Sequence, residues 1–255
     1  SGLTLPSGGL SGGRGRMVTY GGYGPGYNSE MNTIDIATLG SATDFGDGSR
    51  ENGFSSGMAS STRAVFKQGR HPTASYGPFM EFTTFSSLGG VIDFGEDRGA
   101  DQDSSASSAD GIRGIFGNGT SYDAKIQSIT LATTGDTTEF GTLASGRYMG
   151  GGAGGASPTR GFFFGGLLSG QPAGEKIIET VTFAVGRRAI AAVTNNTRAV
   201  ACSGGSPNTN TMDYITMTTE GNSIDFGDIN NQNEGYGAGG STTIRGVIVG
   251  CKESN

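Results

Sequence analysis

Thr159-Arg-Gly-Phe-Phe-Phe-Gly-Gly166 is the stretch on which the fold turns. It is a short apolar run, opened by Thr-Arg and closed by glycine, and variants of it recur along the chain. They are Gly15-Arg-Met-Val-Thr-Tyr-Gly-Gly22, Thr62-Arg-Ala-Val-Phe-Lys-Gln-Gly69, Ile112-Arg-Gly-Ile-Phe-Gly-Asn-Gly119, Thr197-Arg-Ala-Val-Ala-Cys-Ser-Gly-Gly205 and Ile244-Arg-Gly-Val-Ile-Val-Gly250. The leading arginines are Arg16, Arg63, Arg113, Arg160, Arg198 and Arg245, at successive spacings of 47, 50, 47, 38 and 47 residues. A fixed period in this range marks a propeller or a solenoid and outranks any single motif.

Working outward, each arginine strand is followed by a variable loop and then an alternating apolar and Thr/Ser segment. Examples are Ile126-Gln-Ser-Ile-Thr-Leu-Ala-Thr-Thr-Gly135, Met212-Asp-Tyr-Ile-Thr-Met-Thr-Thr-Glu-Gly221 and Asn32-Thr-Ile-Asp-Ile-Ala-Thr-Leu-Gly40. Period-two alternation ended by glycine predicts a half-buried strand and a turn. An acidic-Phe-Gly strand comes next, as Asp44-Phe-Gly, Asp93-Phe-Gly, Glu139-Phe-Gly and Asp225-Phe-Gly. Its Phe is expected to be buried, and its Gly to allow a bulge or a close approach. Gly/Ser-rich stretches such as Arg147–Pro158, and the more apolar Arg188–Thr194, leave room for a fourth strand. Three or four antiparallel strands per ~47 residues fit a propeller blade better than a helical repeat. The expectation is an all-β propeller of five or six small blades over residues 14–255, preceded at 1–13 by a strand or linker.

One repeat breaks the pattern. Val181-Thr-Phe-Ala-Val-Gly186 runs directly into Arg187-Arg188, and the Arg160–Arg198 spacing is 38 rather than 47. Only an edge strand can be lost so cleanly, because deleting a central one orphans two rows of backbone groups. The acidic-Phe-Gly strand is therefore placed at the outer edge of each blade, with the edge strand missing near Gly186–Arg188.

Composition agrees. Of 255 residues 49 are glycine, Trp is absent and the hydrophobic fraction is 33%, which predicts thin, distributed cores. The glycines do not fall at every third position, so collagen is excluded. A net charge of −6 argues against nucleic-acid binding, and no apolar run approaches the ~20 residues of a membrane span. The chain starts at Ser1, as a processed chain or an internal piece of a longer one would. Cys202 and Cys251 stand on successive copies of one strand, where Cα atoms lie too far apart for a bridge.

Catalytic and metal signatures are not found. Asp-Phe-Gly recurs with the repeat and lacks every other kinase element. Gly22-Tyr-Gly-Pro-Gly-Tyr27 precedes a strand, so no helix N-terminus is there to hold a phosphate. The acidic clusters Asp44/Asp47/Glu51 and Glu96–Asp103 lack the glycine placement and terminal Glu of a calcium loop. His71 is the single histidine, without the partners that a metal site or triad requires. No cofactor is expected. The six arginines are read as structural, paired with the in-phase acidic residues Asp44, Asp93, Glu139 and Asp225. A ring of arginines binding an anion on the axis is the alternative.

The unit Thr-Arg-Gly-Phe-Phe-Phe-Gly-Gly, with Met-Asp-Tyr-Ile-Thr-Met-Thr-Thr-Glu-Gly-Asn-Ser-Ile-Asp-Phe-Gly-Asp, resembles a repeat of virion structural proteins of tailed bacteriophages, many of which infect cyanobacteria. In layout it is also similar to kelch repeats, though it lacks their Trp and their Tyr-Asp-Pro element. The resemblance spans Gly15 to Gly250 and implies a structural protein of the tail, fibre or outer decoration, located in the virion. Its partners would be other virion proteins or a host-surface glycan or protein, engaged without nucleic acid or membrane insertion. The rivals are a secreted bacterial adhesin or scaffold, and a kelch-type enzyme. Loops between the glycine stop and the alternating strand vary most, so Tyr23, Tyr27, His71, Tyr76 and Tyr122 are the candidate contact residues.

Overall fold

The computed structural model describes residues 15–22, 26–38, 40–73, 77–87, 89–98, 106–117, 122–148, 154–156, 161–170, 177–178, 181–182, 191–195, 197–204, 209–216, 223–233, 238–242 and 244–249. No α-helix occurs among them, and the strands build four small antiparallel sheets arranged as the blades of a β-propeller. One blade joins β1 (Arg16–Tyr20), β2 (Asn28–Asp35) and β3 (Thr43–Asn52) in that order. The next runs β4 (Ser56–Ala59), β5 (Arg63–Lys67), β6 (Phe79–Thr84), β7 (Ile92–Glu96). A third comprises β8 (Ala106–Ala109), β9 (Arg113–Gly117), β10 (Lys125–Thr130) and β11 (Thr138–Thr142).

Two-stranded pieces follow: β12 (Gly154–Ala156) with β13 (Gly161–Phe163), and β14 (Ile177–Ile178) with β15 (Val181–Thr182). The fourth blade is β16 (Ala191–Thr194), β17 (Arg198–Gly204), β18 (Thr209–Thr216), β19 (Ile224–Asn233), and a last pair is β20 (Ala238–Ser241) with β21 (Gly246–Val249). Four blades thus stand where five or six were expected. Two arginine-led repeats carry only a two-stranded sheet: β13 pairs with β12 alone and β21 with β20 alone among the described residues. The expected loss of an edge strand near Gly186–Arg188 lies outside the described residues.

The hairpin before each arginine has a local cause. Ser60, Asp110, Asn195 and Thr242 each stand three residues ahead of the arginine. Asp110 Oδ1 accepts from the N–H groups of Ile112 at 2.8 Å and Arg113 at 2.7 Å, and Asn195 Oδ1 from Thr197 at 2.9 Å and Arg198 at 2.7 Å. Ser60 and Thr242 do the same through their hydroxyls. Such side chains stand in for backbone acceptors in tight turns, which starts the arginine strand at a fixed point.

The acidic-Phe-Gly strands are β3, β7, β11 and β19, and each sits at an edge of its sheet, as the sequence implied. The bulge expected at the glycine is present, since the register slips opposite Gly46, Gly95, Gly141 and Gly227. Gly46 has φ +135° and Gly95 +140°, and a Cβ on Gly46 would meet the Gly89 backbone at 2.7 Å. Glycine is required there.

The cores lie between sheets. Val18, Met31 and Phe45 pack with Ala64, Phe66 and Phe85 of the next blade, and Val65, Met80 and Phe94 with Phe116, Ile129 and Leu131 of the one after. Phe163 and Phe162 of β13 continue the series toward Ile126 on one side and Ala201 on the other. Burial of the motif Phe holds for two copies and fails for two: Phe45 and Phe94 are 2% exposed, Phe140 is 50% and Phe226 is 51%. The covered ones face a four-stranded blade and the open ones face a two-stranded piece. Replacing Phe94 with Ala should therefore cost about 3–5 kcal/mol, the range for a fully buried Phe. Phe140→Ala should cost under about 1 kcal/mol. Urea denaturation of both variants checks the contrast.

Candidate functional site

The seam between blades shows what the repeated arginines do. Arg16 Nη1 donates to Phe85 O at 2.8 Å, reaching the residue just past the third strand of the neighbouring blade. Arg63 Nη1 donates to Ala132 O at 2.9 Å, with Leu131 O at 3.5 Å, and its guanidinium lies 4.3 Å from the Phe82 ring centroid. Arg245 Nη1 donates to Ala37 O at 2.9 Å and Ile36 O at 3.2 Å. The guanidinium therefore reaches the equivalent carbonyl, that of Phe85, Leu131 or Ile36, at three seams, and the third of these joins the last repeat to the first.

This corrects the expected pairing with carboxylates. Among the described residues the ion pairs are Lys67–Asp97 and Arg98–Asp136, neither of which involves a repeat arginine. The acidic residues act locally instead: Asp44 Oδ1 accepts from Gly46 N at 2.9 Å, and Asp225 Oδ1 from Gly227 N at 2.8 Å. A bulge leaves that N–H without a ladder partner, and a short Asp side chain satisfies it. Asp93 and Glu139 occupy the same exposed edge position. Carbonyls win over carboxylates because the strand before each glycine turn ends with its C=O groups aimed at the preceding blade.

Backbone contacts complete the seam. Gly89 N donates to Phe45 O at 2.9 Å and Gly135 N to Phe94 O at 2.7 Å. Where a two-stranded piece follows, the arginine is exposed and rests on an aromatic ring of its own blade. Arg113 lies 5.6 Å from the Phe140 centroid and Arg198 4.6 Å from that of Tyr214. Arg160 is outside the described residues. Beside Arg113 is a shallow cavity of about 410 Å³, lined by Ser128, Thr130, Thr133, Asp136 and Thr138 as well.

A second feature lies near the far ends of the arginine strands, where the variable loops begin. Glu81, 6% exposed, accepts from Gln68 Nε2 at 2.9 Å and from the Ser49 hydroxyl of the neighbouring blade. Tyr20 Oη lies 3.1 Å from Glu81 Oε2 and 2.9 Å from Arg50 O, so its one proton is shared between two acceptors. Burial first, and the Glu81 carboxylate second, push the Tyr20 phenol well above its usual value. Lys67 Nζ stands 3.4 Å from Asp97 Oδ2, both side chains being almost fully buried, and Asp97 also accepts from Thr137 across the seam at 3.3 Å. On the surface, Asp136 accepts from Glu96 N at 3.0 Å and Arg98 Nε at 2.7 Å, which hold its carboxyl below the usual range. Lys67 and Glu81 lie within the strands β5 and β6, so the repeat pattern does not disclose this network. Their one signal is a charge at a position where the period calls for an apolar residue.

The candidate contact residues do not converge on one spot. The Tyr27 ring packs over Gly53, which bridges to Arg70 next to His71. His71 Nδ1 accepts from Thr73 N at 3.2 Å within its own turn. Tyr122 belongs to a different blade, has φ +56° and pairs with Tyr148 at 6.3 Å between centroids. Tyr23 and Tyr76 lie outside the described residues. Cys202 is a buried thiol, and Cys251 lies outside. Among the described residues no three His, Cys, Asp or Glu side chains are grouped to hold a metal, and no helix is long and apolar enough to cross a membrane. No family model matches the chain, and no curated protein matches it.

Two expectations follow. Arg63→Ala removes charged hydrogen bonds across a seam and should cost about 1.5–3 kcal/mol, whereas Arg113→Ala should cost under about 0.5 kcal/mol; chemical denaturation separates them. The raised Tyr20 phenol keeps its proton in the folded state after unfolded tyrosine has lost it. Its stabilisation is complete below about pH 10 and falls by about 1.4 kcal/mol per pH unit above that. Tyr20→Phe should flatten this alkaline slope, as read from urea midpoints between pH 9 and 11.

Proposed function

We propose that the chain is a non-catalytic binding scaffold of a bacteriophage virion, placed in the tail, fibre or outer decoration. It would meet neighbouring virion proteins or a host-surface glycan or protein through its variable loops. The observation that carries this reading is how the polar groups are used. Arg16, Arg63 and Arg245 clasp backbone carbonyls, and Glu81, Lys67 and Asp97 are turned into the seams, so the charged groups bind blade to blade. Loops of unlike sequence then ride on a stiff frame, the arrangement that suits recognition. The virion assignment rests on the repeat's resemblance to phage structural proteins and is analogy.

The ring itself we read as six stations, four of them blades and two held by the pairs β12–β13 and β20–β21. First strands neighbour one another in the order β4, β8, β12, β16, β20, and β20 returns to β1. The Arg245 clasp on Ile36 and Ala37 repeats the internal seams and supports closure at that joint.

Antibodies raised to the purified chain should label the tail or outer surface of intact phage particles in electron micrographs. Particles without label would overturn the virion reading. If labelled protein also binds host cells, Tyr27→Ala with Tyr122→Ala should weaken that binding at a temperature where circular dichroism shows the variant folded. Unchanged binding would shift the contact away from these loops and toward assembly.

A further inference from the structure

The cavity beside Arg113 has its origin in one residue. Val65 pairs with Phe82, Ile115 with Ser128 and Val200 with Tyr214, so the latter three hold one position in three blades. In two of them an aromatic ring stands against the repeat arginine. Arg63 lies 4.3 Å from the Phe82 centroid and Arg198 4.6 Å from that of Tyr214. Ser128 does not fill that space, and a recess of about 410 Å³ forms beside it. The first blade has Thr33 at the position, and there Arg16 is drawn off to the Phe85 carbonyl. Arg113 has no such acceptor among the described residues. Its guanidinium rests 5.6 Å from the Phe140 centroid.

The lining is rich in hydroxyls. Thr130, which pairs with Arg113, and Thr133 and Thr134 of the turn beyond it line the recess with no side-chain partner among the described residues. The Ser128 and Thr138 hydroxyls, 3.1 Å apart, bond each other across the strand pair. A hydroxyl both donates and accepts, so the set matches a ligand whose own groups do both. An apolar ligand would leave these groups unpaired, at a cost. Arg113 adds the demand for a charged acceptor, and the planar guanidinium matches the fork of a carboxylate. Asp136, the acid on the lining, is already held by Glu96 N at 3.0 Å and Arg98 Nε at 2.7 Å, so its charge is matched. The positive charge of Arg113 is therefore left over. The volume falls within the range of small-molecule sites, too small for a folded partner.

We propose that this recess binds a sugar residue that bears a carboxylate. Arg113 takes the carboxylate in two parallel N–H···O bonds, and the threonine and serine hydroxyls take those of the sugar ring. The Phe140 ring restrains the guanidinium beforehand, which lowers the ordering cost of binding. No bond of the sugar is made or broken. The inference rests on the glycan arm of the proposed function, with the contact moved from the tyrosine loops to the strands and turn of one blade. It requires nothing of a virion.

Glucuronate, glucose and acetate, titrated separately into the purified full chain, test the two halves of the site. Glucuronate should shift the amide resonances of Ser128, Thr130 and Asp136 with a dissociation constant of about 1–10 mM, the scale for so small a ligand. Glucose and acetate each satisfy half of the lining and should bind at least about tenfold more weakly. Arg113→Gln should bring glucuronate down to the level of glucose. Ser128→Phe gives this blade the ring of its counterparts, and should abolish binding in a protein whose circular dichroism is unchanged. Arg198→Gln should leave binding unaltered. Absence of any shift with glucuronate overturns the proposal, as does glucuronate binding that survives Arg113→Gln. A response to acetate as strong as that to glucuronate also overturns it, and reduces Arg113 to a simple anion contact. Labelling of phage particles is independent of this titration, so either reading can fail alone.

Discussion

A guanidinium gripping the last carbonyls of the next blade is the interaction on which this molecule depends. Small blades with a 33% hydrophobic chain and no Trp cannot bury much area against one another. Their cores are thin slabs of Phe, Met, Val and Ala between sheets. Thin slabs have little to fix their angle, because apolar burial is not directional. The Arg63 bonds to Leu131 and Ala132, with Gly135 N on Phe94 O, supply direction at two points of one seam. A charged donor makes each such bond stronger than a neutral one.

The remaining sequence signature follows from that seam. The bulge glycine is there so that two backbones can touch, as the 2.7 Å approach to Gly89 shows for Gly46. The acidic residue before Phe satisfies the N–H that the bulge frees. The polar residue three places ahead of each arginine fixes where its strand starts, and so where the guanidinium reaches. Arginine, turn-capping residue, acidic residue and bulge glycine are parts of one joint.

The sequence disclosed the class, the period, the order of strands within a blade and the edge position of Asp-Phe-Gly, because these depend on alternation and turns that each repeat carries within itself. It misjudged what depends on neighbours. Phe140 and Phe226 carry the same local pattern as Phe94, yet lie half exposed because of what stands opposite. The arginine's partner is a carbonyl, and a carbonyl leaves no trace in a residue pattern. Lys67 and Glu81 are hidden in the sequence because a buried charge in a strand announces itself only by breaking the alternation. The tyrosine loops were legible as variable, but their placement on separate blades was not.

The seam chemistry bears on how such a chain can change over time. A joint made from an arginine and its neighbour's main chain asks almost nothing of the side chains on the receiving blade. The clasp itself needs from the receiving blade only a glycine turn that presents its carbonyls. Units of this kind can be duplicated, dropped or exchanged by recombination with each new junction already compatible, so ring size is free to drift. Blade order is specified where side chains cross, as with Phe94 against Phe116, Tyr20 and Ser49 on Glu81, or Thr137 on Asp97. Each such polar crossing suits one pair of blades and no other.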